Sequence, residues 1–248
     1  MLGRAQAGAM YSKSAPWYDL IYSFKDYAGE ADRVRSLLEA YARRPLRRLL
    51  DVACGTGEHL RLFQQHFDVE GIDVNEAMLA VARAKLAGVA LHHGDMLDFD
   101  LGRRFDAVVC LFSAIGYLRT KEELETGVVQ MARHLEPGGV LIVEAWITPE
   151  ALEPDRLHGI YVDRPEVKIA RMTKGWVEGR SSVMDMHHLV NTARGVEYFV
   201  ERHELTLFTH DEYMAALTEA GLEVMFDREG LIGRGLYLGR LPGWETEA

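Results

Sequence analysis

Gly55 and Gly57, in the run LLDVACGTG at 49–57, let the backbone turn sharply and bring main-chain NH groups close to a ligand. Asp73, a little under twenty residues beyond Gly55, ends the next short apolar run, VEGID. A carboxylate at that place takes both hydroxyls of a ribose. The chemistry these residues point to is capture of a nucleoside-bearing cofactor at the carboxyl edge of a parallel sheet. Spacing then narrows the choice. A nicotinamide fingerprint needs a third small residue where this chain has Leu60, and Ala53 stands where its first glycine is expected, so an NAD oxidoreductase is disfavoured.

DVACGTG with the downstream GIDVNEAML resembles the S-adenosylmethionine (SAM) site of class I methyltransferases, in which the glycine turn passes beside the amino-acid part of the cofactor. The resemblance implies a cofactor-facing set of Ala53, Gly55, Gly57, Asp73, Val74 and Leu111. It puts the adenine edge at Asp95, in the GDM loop after the third strand, where a plain turn aspartate is the alternative. Met78 and Met96 face either the adenine ring or the core. Asp51 holds turn amides or serves the cofactor's ammonium indirectly, and the first reading is preferred because Asp readily bonds local backbone NH groups.

These residues need elements to position them, and the pattern supplies a βα alternation. Strands are expected at 46–53, 69–73, from 89, at 107–112 and in VLIVEAW after Pro137, Gly138 and Gly139. Helices are expected at 26–42, 58–67, 75–86 with Asn75 as N-cap, and 121–135. From 148 to 208 the rhythm changes to period two, with short polar or glycine turns, which predicts four antiparallel strands inserted after the fifth core strand. A helix at 210–220 and the runs LEVMFD and GRGLYLGR return to the core. The fold class expected is α/β, a Rossmann-like doubly wound, mostly parallel sheet of the class I methyltransferase kind with an inserted antiparallel β lobe. The division expected is 1–147 for an N-terminal cap and SAM-binding core, 148–208 for the substrate lobe, and 209–248 for the return to the core.

Composition bounds the partners. A net charge of −10 without a Lys/Arg block disfavours a nucleic-acid substrate, while local basic groups can still hold one or two phosphates. No membrane span is expected, and the first twenty residues lack the apolar core of a secretory signal, so a cytoplasmic protein is expected. Cys54 and Cys110 suit reduced, small hydrophobic roles. No metal site is expected: His187 and His188 are neighbours that point to opposite faces of a strand, and these, His203 and His210 read as solvated strand histidines.

A closer resemblance runs over nearly the whole length, through YDLIY, LLDVACGTGEHL, FSAIGYL, HLEPGGVLIVEAW, LTLFTHDEY and GRGLYLG. The chain resembles the TDP-aminosugar N,N-dimethyltransferases of macrolide sugar biosynthesis, of the desosamine and mycaminose type. That implies SAM-dependent dimethylation of a 3-amino group on a nucleotide-linked deoxysugar, and a homodimer formed through the lobe. Carried over by position, Tyr11 and Tyr117 match residues at the reacting amine, and Tyr18 and Tyr27 match aromatics near the cofactor. Trp146 and Arg234 match residues on the sugar-nucleotide side. Where the family has PWWFPE this chain reads AWITPE, so Ala145, Ile147 and Thr148 replace a proline and two aromatics. That departure leaves another small amine, or a hydroxyl, as an alternative acceptor, and a SAM-binding protein without catalysis as the alternative class.

Overall fold

The computed structural model describes residues 10–152 and 157–243. Positions 1–9, which bear on the secretory-signal expectation, 153–156 inside the expected lobe, and 244–248 in the expected return to the core lie outside the described residues.

After a short helix α1 (Tyr18–Ile21) and the long α2 (Tyr27–Tyr41), the alternation begins. It runs β1 (Arg48–Val52), α3 (Glu58–Phe63), β2 (Asp68–Asp73), α4 (Glu76–Lys85), β3 (Ala90–His93), β4 (Phe105–Cys110), α5 (Lys121–Arg133) and β5 (Leu135–Glu144). Four long strands follow, β6 (His158–Asp163), β7 (Val167–Glu178), β8 (Ser181–Thr192) and β9 (Gly195–Thr206). Then α6 (His210–Glu219), β10 (Glu223–Asp227) and β11 (Leu236–Arg240) complete the chain.

The main sheet has seven strands in the order β10-β11-β5-β4-β1-β2-β3. β1 pairs in parallel with β2 and with β4, while β11 runs antiparallel to β5 and β10, antiparallel to β11, closes that side. The strand order therefore reverses between β1 and β4, which opens a crevice beyond their carboxyl ends. β4 is buried at every residue. Leu50, Val52, Val108, Cys110, Leu141 and Val143 pack towards α5 and α6, and the alternate residues Leu49, Ala107, Val109 and Ile142 pack towards α2, α3 and α4. Period-two alternation on a sheet covered on both faces produces this two-layered core. Cys54 and Cys110 are buried and free. No helix among the described residues is long and apolar enough to cross a membrane.

Most boundaries differ from the sequence expectation by one or two residues, and two differ by more. α3 ends at Phe63 rather than continuing to 67, because i→i+3 bonds from Gln65 to Leu62 and from His66 to Phe63 tighten the chain so that Asp68 can bond Arg47 and open β2. Pro137, Gly138 and Gly139 do not precede the fifth strand but form a bulge inside it. The pairing of β4 with β5 slips between Phe105↔Leu135 and Ala107↔Val140. Gly139 is required there: a Cβ would lie 2.8 Å from the Asp106 carbonyl oxygen and 2.9 Å from that of Glu136.

The four period-two strands form a separate antiparallel meander, β6-β7-β8-β9, turned at its ends by two-residue connections such as 193–194. Its inner face sends Val162, Val167, Ile169, Val190 and Phe199 against Ala15, Tyr18, Ile21, Tyr22 and Met78. His188 and His203 also point inward and are buried, contrary to the solvated reading, while His187 is partly exposed. The period-two phase accounts for this, since each buried histidine shares the phase of the apolar residues around it.

Gly139→Ala should lower stability by about 1–3 kcal/mol, because backbone carbonyls rather than flexible side chains meet the added methyl. Urea denaturation followed by circular dichroism checks this; an unchanged midpoint would show that the bulge relaxes freely.

Candidate active site

The turn after β1 is held from the neighbouring strand. The Asp73 carboxylate, at the end of β2, accepts from Gly55 N through Oδ2 (2.8 Å) and from Asn75 N through Oδ1 (2.7 Å). One buried side chain thus ties together the turn into α3 and the turn into α4. Burial raises the pKa of Asp73, while the bonds from Asn75 and Gly55 act to lower it. Asn75 in turn caps α4, accepting from the amides of Ala77 and Met78. Gly57, at φ 78°, is the N-cap of α3, and a Cβ there would come within 2.6 Å of Leu86. Asp51 is buried, and its pKa is pushed well up, by desolvation first and then by Asp73. The turn amide at Gly55 is bonded to Asp73.

A cavity of about 580 Å³ opens over these carboxyl ends. Of the residues singled out in the sequence, Ala53, Gly55, Asp73, Val74, Met78, Asp95, Met96 and Leu111 line it, together with Tyr11, Tyr18 and Tyr117. Asp95 also accepts from Leu97 N at 3.0 Å, so it shapes its own loop while facing the cavity. Backbone strain gathers here. Tyr11, Ala53 and Phe112 all line the cavity with φ between 53° and 61°, a region that costs a side chain-bearing residue roughly 1–2 kcal/mol.

The aromatic roof is joined by hydrogen bonds. The Tyr117 hydroxyl lies 2.9 Å from the Tyr11 hydroxyl and 2.9 Å from Nδ1 of His203. Tyr11 also meets Tyr18 edge to face at 5.3 Å. Desolvation raises the pKa of all three phenols well above the usual range, so they are neutral hydroxyls. Burial first, then Arg171 and His188, lowers the His203 imidazole to about 4. Glu201, two residues earlier on β9, accepts from the amides of Lys13 and Ser14 at 3.1 and 3.2 Å, which fastens the segment carrying Tyr11.

Five of the expected site residues stand outside the cavity lining. Asp51, within β1, and Gly57, the N-cap of α3, are both buried. Tyr27 packs edge-on against His59 at 5.0 Å, with Lys25 Nζ 5.1 Å from its ring. The Arg234 guanidinium sits 4.5 Å over the Trp146 ring and donates to Ser113 Oγ at 3.1 Å. Ser113, at φ 60°, donates in turn to the Ala145 carbonyl, and the Phe112 amide donates to Glu144 at 2.6 Å. Arg234 and Trp146 therefore brace the strained 112–113 loop from behind, leaving Phe112 and Ala114 to face the cavity. His203 and Glu201 were missed by sequence reasoning. Their signal was two polar residues falling in phase with Phe199 and Leu205 on the buried side of β9.

A methyltransferase-domain family model matches residues 49–139, the glycine turn through β5's bulge. The chain is 45% identical over 227 residues to dTDP-3-amino-3,4,6-trideoxy-alpha-D-glucopyranose N,N-dimethyltransferase of Streptomyces venezuelae, covering 90% of this chain and 95% of the relative. It is 41% identical to dTDP-3-amino-3,6-dideoxy-alpha-D-glucopyranose N,N-dimethyltransferase of Streptomyces fradiae, covering 94% and 92%. Among solved structures it superposes on Streptomyces venezuelae DesVI with a TM-score of 0.86, at 43% identity over 91% of this chain and 97% of that one. It also superposes on SAM-bound CalS10, an amino pentose methyltransferase from Micromonospora echinaspora, with a TM-score of 0.79, at 42% identity over 87% and 91%.

The lining fits SAM. Each Asp73 oxygen keeps a lone pair beyond the one its amide uses, enough for two vicinal hydroxyls, and Ile72, Met78 and Leu111 offer an apolar surface for a base. Asp73→Ala should weaken SAM binding by about 1–3 kcal/mol, the range for charge-assisted hydrogen bonds. Calorimetry checks this, and an unchanged affinity would remove Asp73 from the cofactor's contacts.

Proposed function

Given that the chain belongs to the SAM-dependent methyltransferases, in the family of the TDP-aminosugar N,N-dimethyltransferases, we propose that it transfers methyl groups to the 3-amino group of a nucleotide-linked deoxysugar. The observation that carries this reading is the pair of neutral hydroxyls, Tyr11 and Tyr117, facing the same cavity as Gly55 and Asp73. SAM, when bound, supplies a methyl group already activated by its sulfonium. The protein's task is then to align an uncharged amine behind that methyl and to exclude water, and it demands no strong base.

In this reading Asp73 holds the ribose and the Gly55 turn lies beside the amino-acid part. Met78, Asp95, Met96 and Leu111 surround the base, and Tyr18 closes over the cofactor. Tyr11 and Tyr117 orient the acceptor nitrogen through hydroxyl groups that accept its N–H. Lys13 and Arg119 also line the cavity and offer positive charge to a diphosphate despite the acidic whole. Arg234 and Trp146 act on the substrate through the 112–113 loop that they brace. The departure AWITPE falls beside this bracing pair, with Ala145 fully buried, so it bears on the acceptor side and not on the cofactor side.

The same reading assigns 1–147 and 209–248 to one SAM-binding unit and 148–208 to a substrate lobe, in a cytoplasmic homodimer. Two adjacent rows on the outward face of the four-stranded sheet support the dimer. Tyr161, Ala170, Leu189 and Tyr198 pair across one row, and Gly159, Met172, His187 and Val200 across the next. Tyr161, Met172 and Tyr198 are each more than 60% exposed, an apolar face of the kind that a second subunit covers.

Turnover of dTDP-3-amino-3,4,6-trideoxyglucose with labelled SAM, through a monomethyl to a dimethyl product, tests the assignment; transfer to other small amines alone would redirect it. Tyr11→Phe and Tyr117→Phe should each lower single-turnover rates roughly 10- to 1000-fold while leaving SAM affinity nearly unchanged. Parental rates in both variants would leave proximity to the sulfonium as the whole account. Tyr198→Glu should shift the protein towards monomer in analytical ultracentrifugation, and an unaltered sedimentation coefficient would place any dimer contact elsewhere.

A further inference from the structure

His203 occupies a position that packing does not explain. It lies fully buried in β9, and the one hydrogen bond of its ring among the described residues joins Nδ1 and the Tyr117 hydroxyl at 2.9 Å. Its Nε2 is buried with no partner among them. An apolar side chain of similar size would leave no buried nitrogen unpaired, so a histidine here answers some need other than filling space.

The need follows from the row it terminates. A hydroxyl both donates and accepts, so Tyr11 and Tyr117, 2.9 Å apart, can point their hydrogens either way along the row, and the group at the closed end selects the direction. If Nδ1 carries the proton, Tyr117 donates to Tyr11, and the Tyr11 hydrogen turns outward into the cavity. It would then bind the lone pair of an amine, the pair that must form the new bond to carbon. If Nδ1 is the acceptor, Tyr117 donates to it, Tyr11 donates to Tyr117, and the Tyr11 oxygen presents lone pairs to the amine's N–H. Only this second direction holds the nitrogen and leaves its lone pair free.

We propose that His203 is a positioning residue that fixes the direction of the Tyr11–Tyr117 hydroxyl row, so that lone pairs, not hydrogens, face the acceptor amine. This rests on the amine-acceptor reading of the cavity. Burial, with Arg171 and His188 nearby, keeps the imidazole neutral down to about 4, so one ring nitrogen stays free of a proton and able to accept. The same property makes it a poor store for a proton taken from an alkylammonium, which in lysine dissociates near about 10.4, and sets positioning above proton removal as its role. β9 thus sets both ends of the row. Glu201 fastens the backbone of residues 13 and 14, and His203 orients the hydroxyls.

The tautomer is readable without substrate. In long-range 1H–15N spectra of histidine-labelled protein, the ring resonance lost in His203→Asn should show a neutral imidazole with its proton on Nε2; a proton on Nδ1 would overturn the proposal. His203→Leu should lower kcat about tenfold or more with dTDP-3-amino-3,4,6-trideoxyglucose, with SAM affinity within about twofold of the parent. His203→Asn, whose side-chain oxygen falls near Nδ1, should recover most of that rate, whereas His203→Gln, which reaches past it, should not. A leucine variant at parental kcat, or an asparagine variant no better than glutamine, would reduce His203 to packing. If the leucine variant does not fold, the comparison of asparagine with glutamine decides. Failure of the parent to use this amino sugar strikes the acceptor reading alone, because the tautomer does not depend on it.

Discussion

The buried carboxylate of Asp73 is the constraint on which the rest of this molecule depends. A charge placed at the end of a central strand is costly unless it is bonded, and here it is bonded to the amides of two turns that belong to different βα units. The turn after β1 thereby takes the shape set by Ala53, Gly55 and Gly57, and Asn75 is brought to cap α4. The turn after β1 sits where the strand order reverses and the turn after β2 lies beside it, so the same interaction that satisfies the charge also shapes the floor of the cavity.

The second sheet supplies what the first lacks. A doubly wound sheet leaves the crevice beyond its strand ends open to water, and methyl transfer requires it to be covered. β6 to β9 lay an apolar inner face on the N-terminal segment. Through Glu201 and His203 they also reach two polar points, the backbone at 13–14 and the Tyr117 hydroxyl. An apolar face gives cohesion without direction, whereas a hydrogen bond imposes direction. The roof of the cavity therefore combines the two, and its aromatic rings are placed by contact while their hydroxyls are aimed by bonds.

Strain is confined to the same region. Tyr11, Ala53, Phe112 and Ser113 are the non-glycine residues of positive φ among those described, and Phe112 and Ser113 are held by their neighbours. Glu144 accepts from the Phe112 amide, Arg234 donates to Ser113, and Ser113 donates to Ala145. Arg234 was carried over from the family as a substrate-side residue, yet its contacts are with this loop and with Trp146.

Much of this was legible in the sequence for reasons that are local. Glycines at fixed spacing, an aspartate after an apolar run, Asn75 before a helical pattern and a switch from helical to period-two alternation each follow from backbone geometry over a few residues. The family resemblance added Tyr11 and Tyr117, whose separation in the chain hides that their hydroxyls meet. Beyond that, only the tertiary structure could decide. Whether a strand histidine is solvated depends on which face its sheet buries, and that face is chosen by docking of the whole meander on the N-terminal segment, so His188 and His203 turned inward. The bulge at 136–139 depends on the Asp106 carbonyl of a neighbouring strand. Asp51 and Asp73 look alike as residues ending apolar runs, and the amide at Gly55 is bonded by Asp73 because the parallel pairing of β1 with β2 brings that carboxylate across the turn. Local propensity selects elements and turns, but a side chain's partner across the fold is set by register and docking, which no stretch of sequence contains by itself.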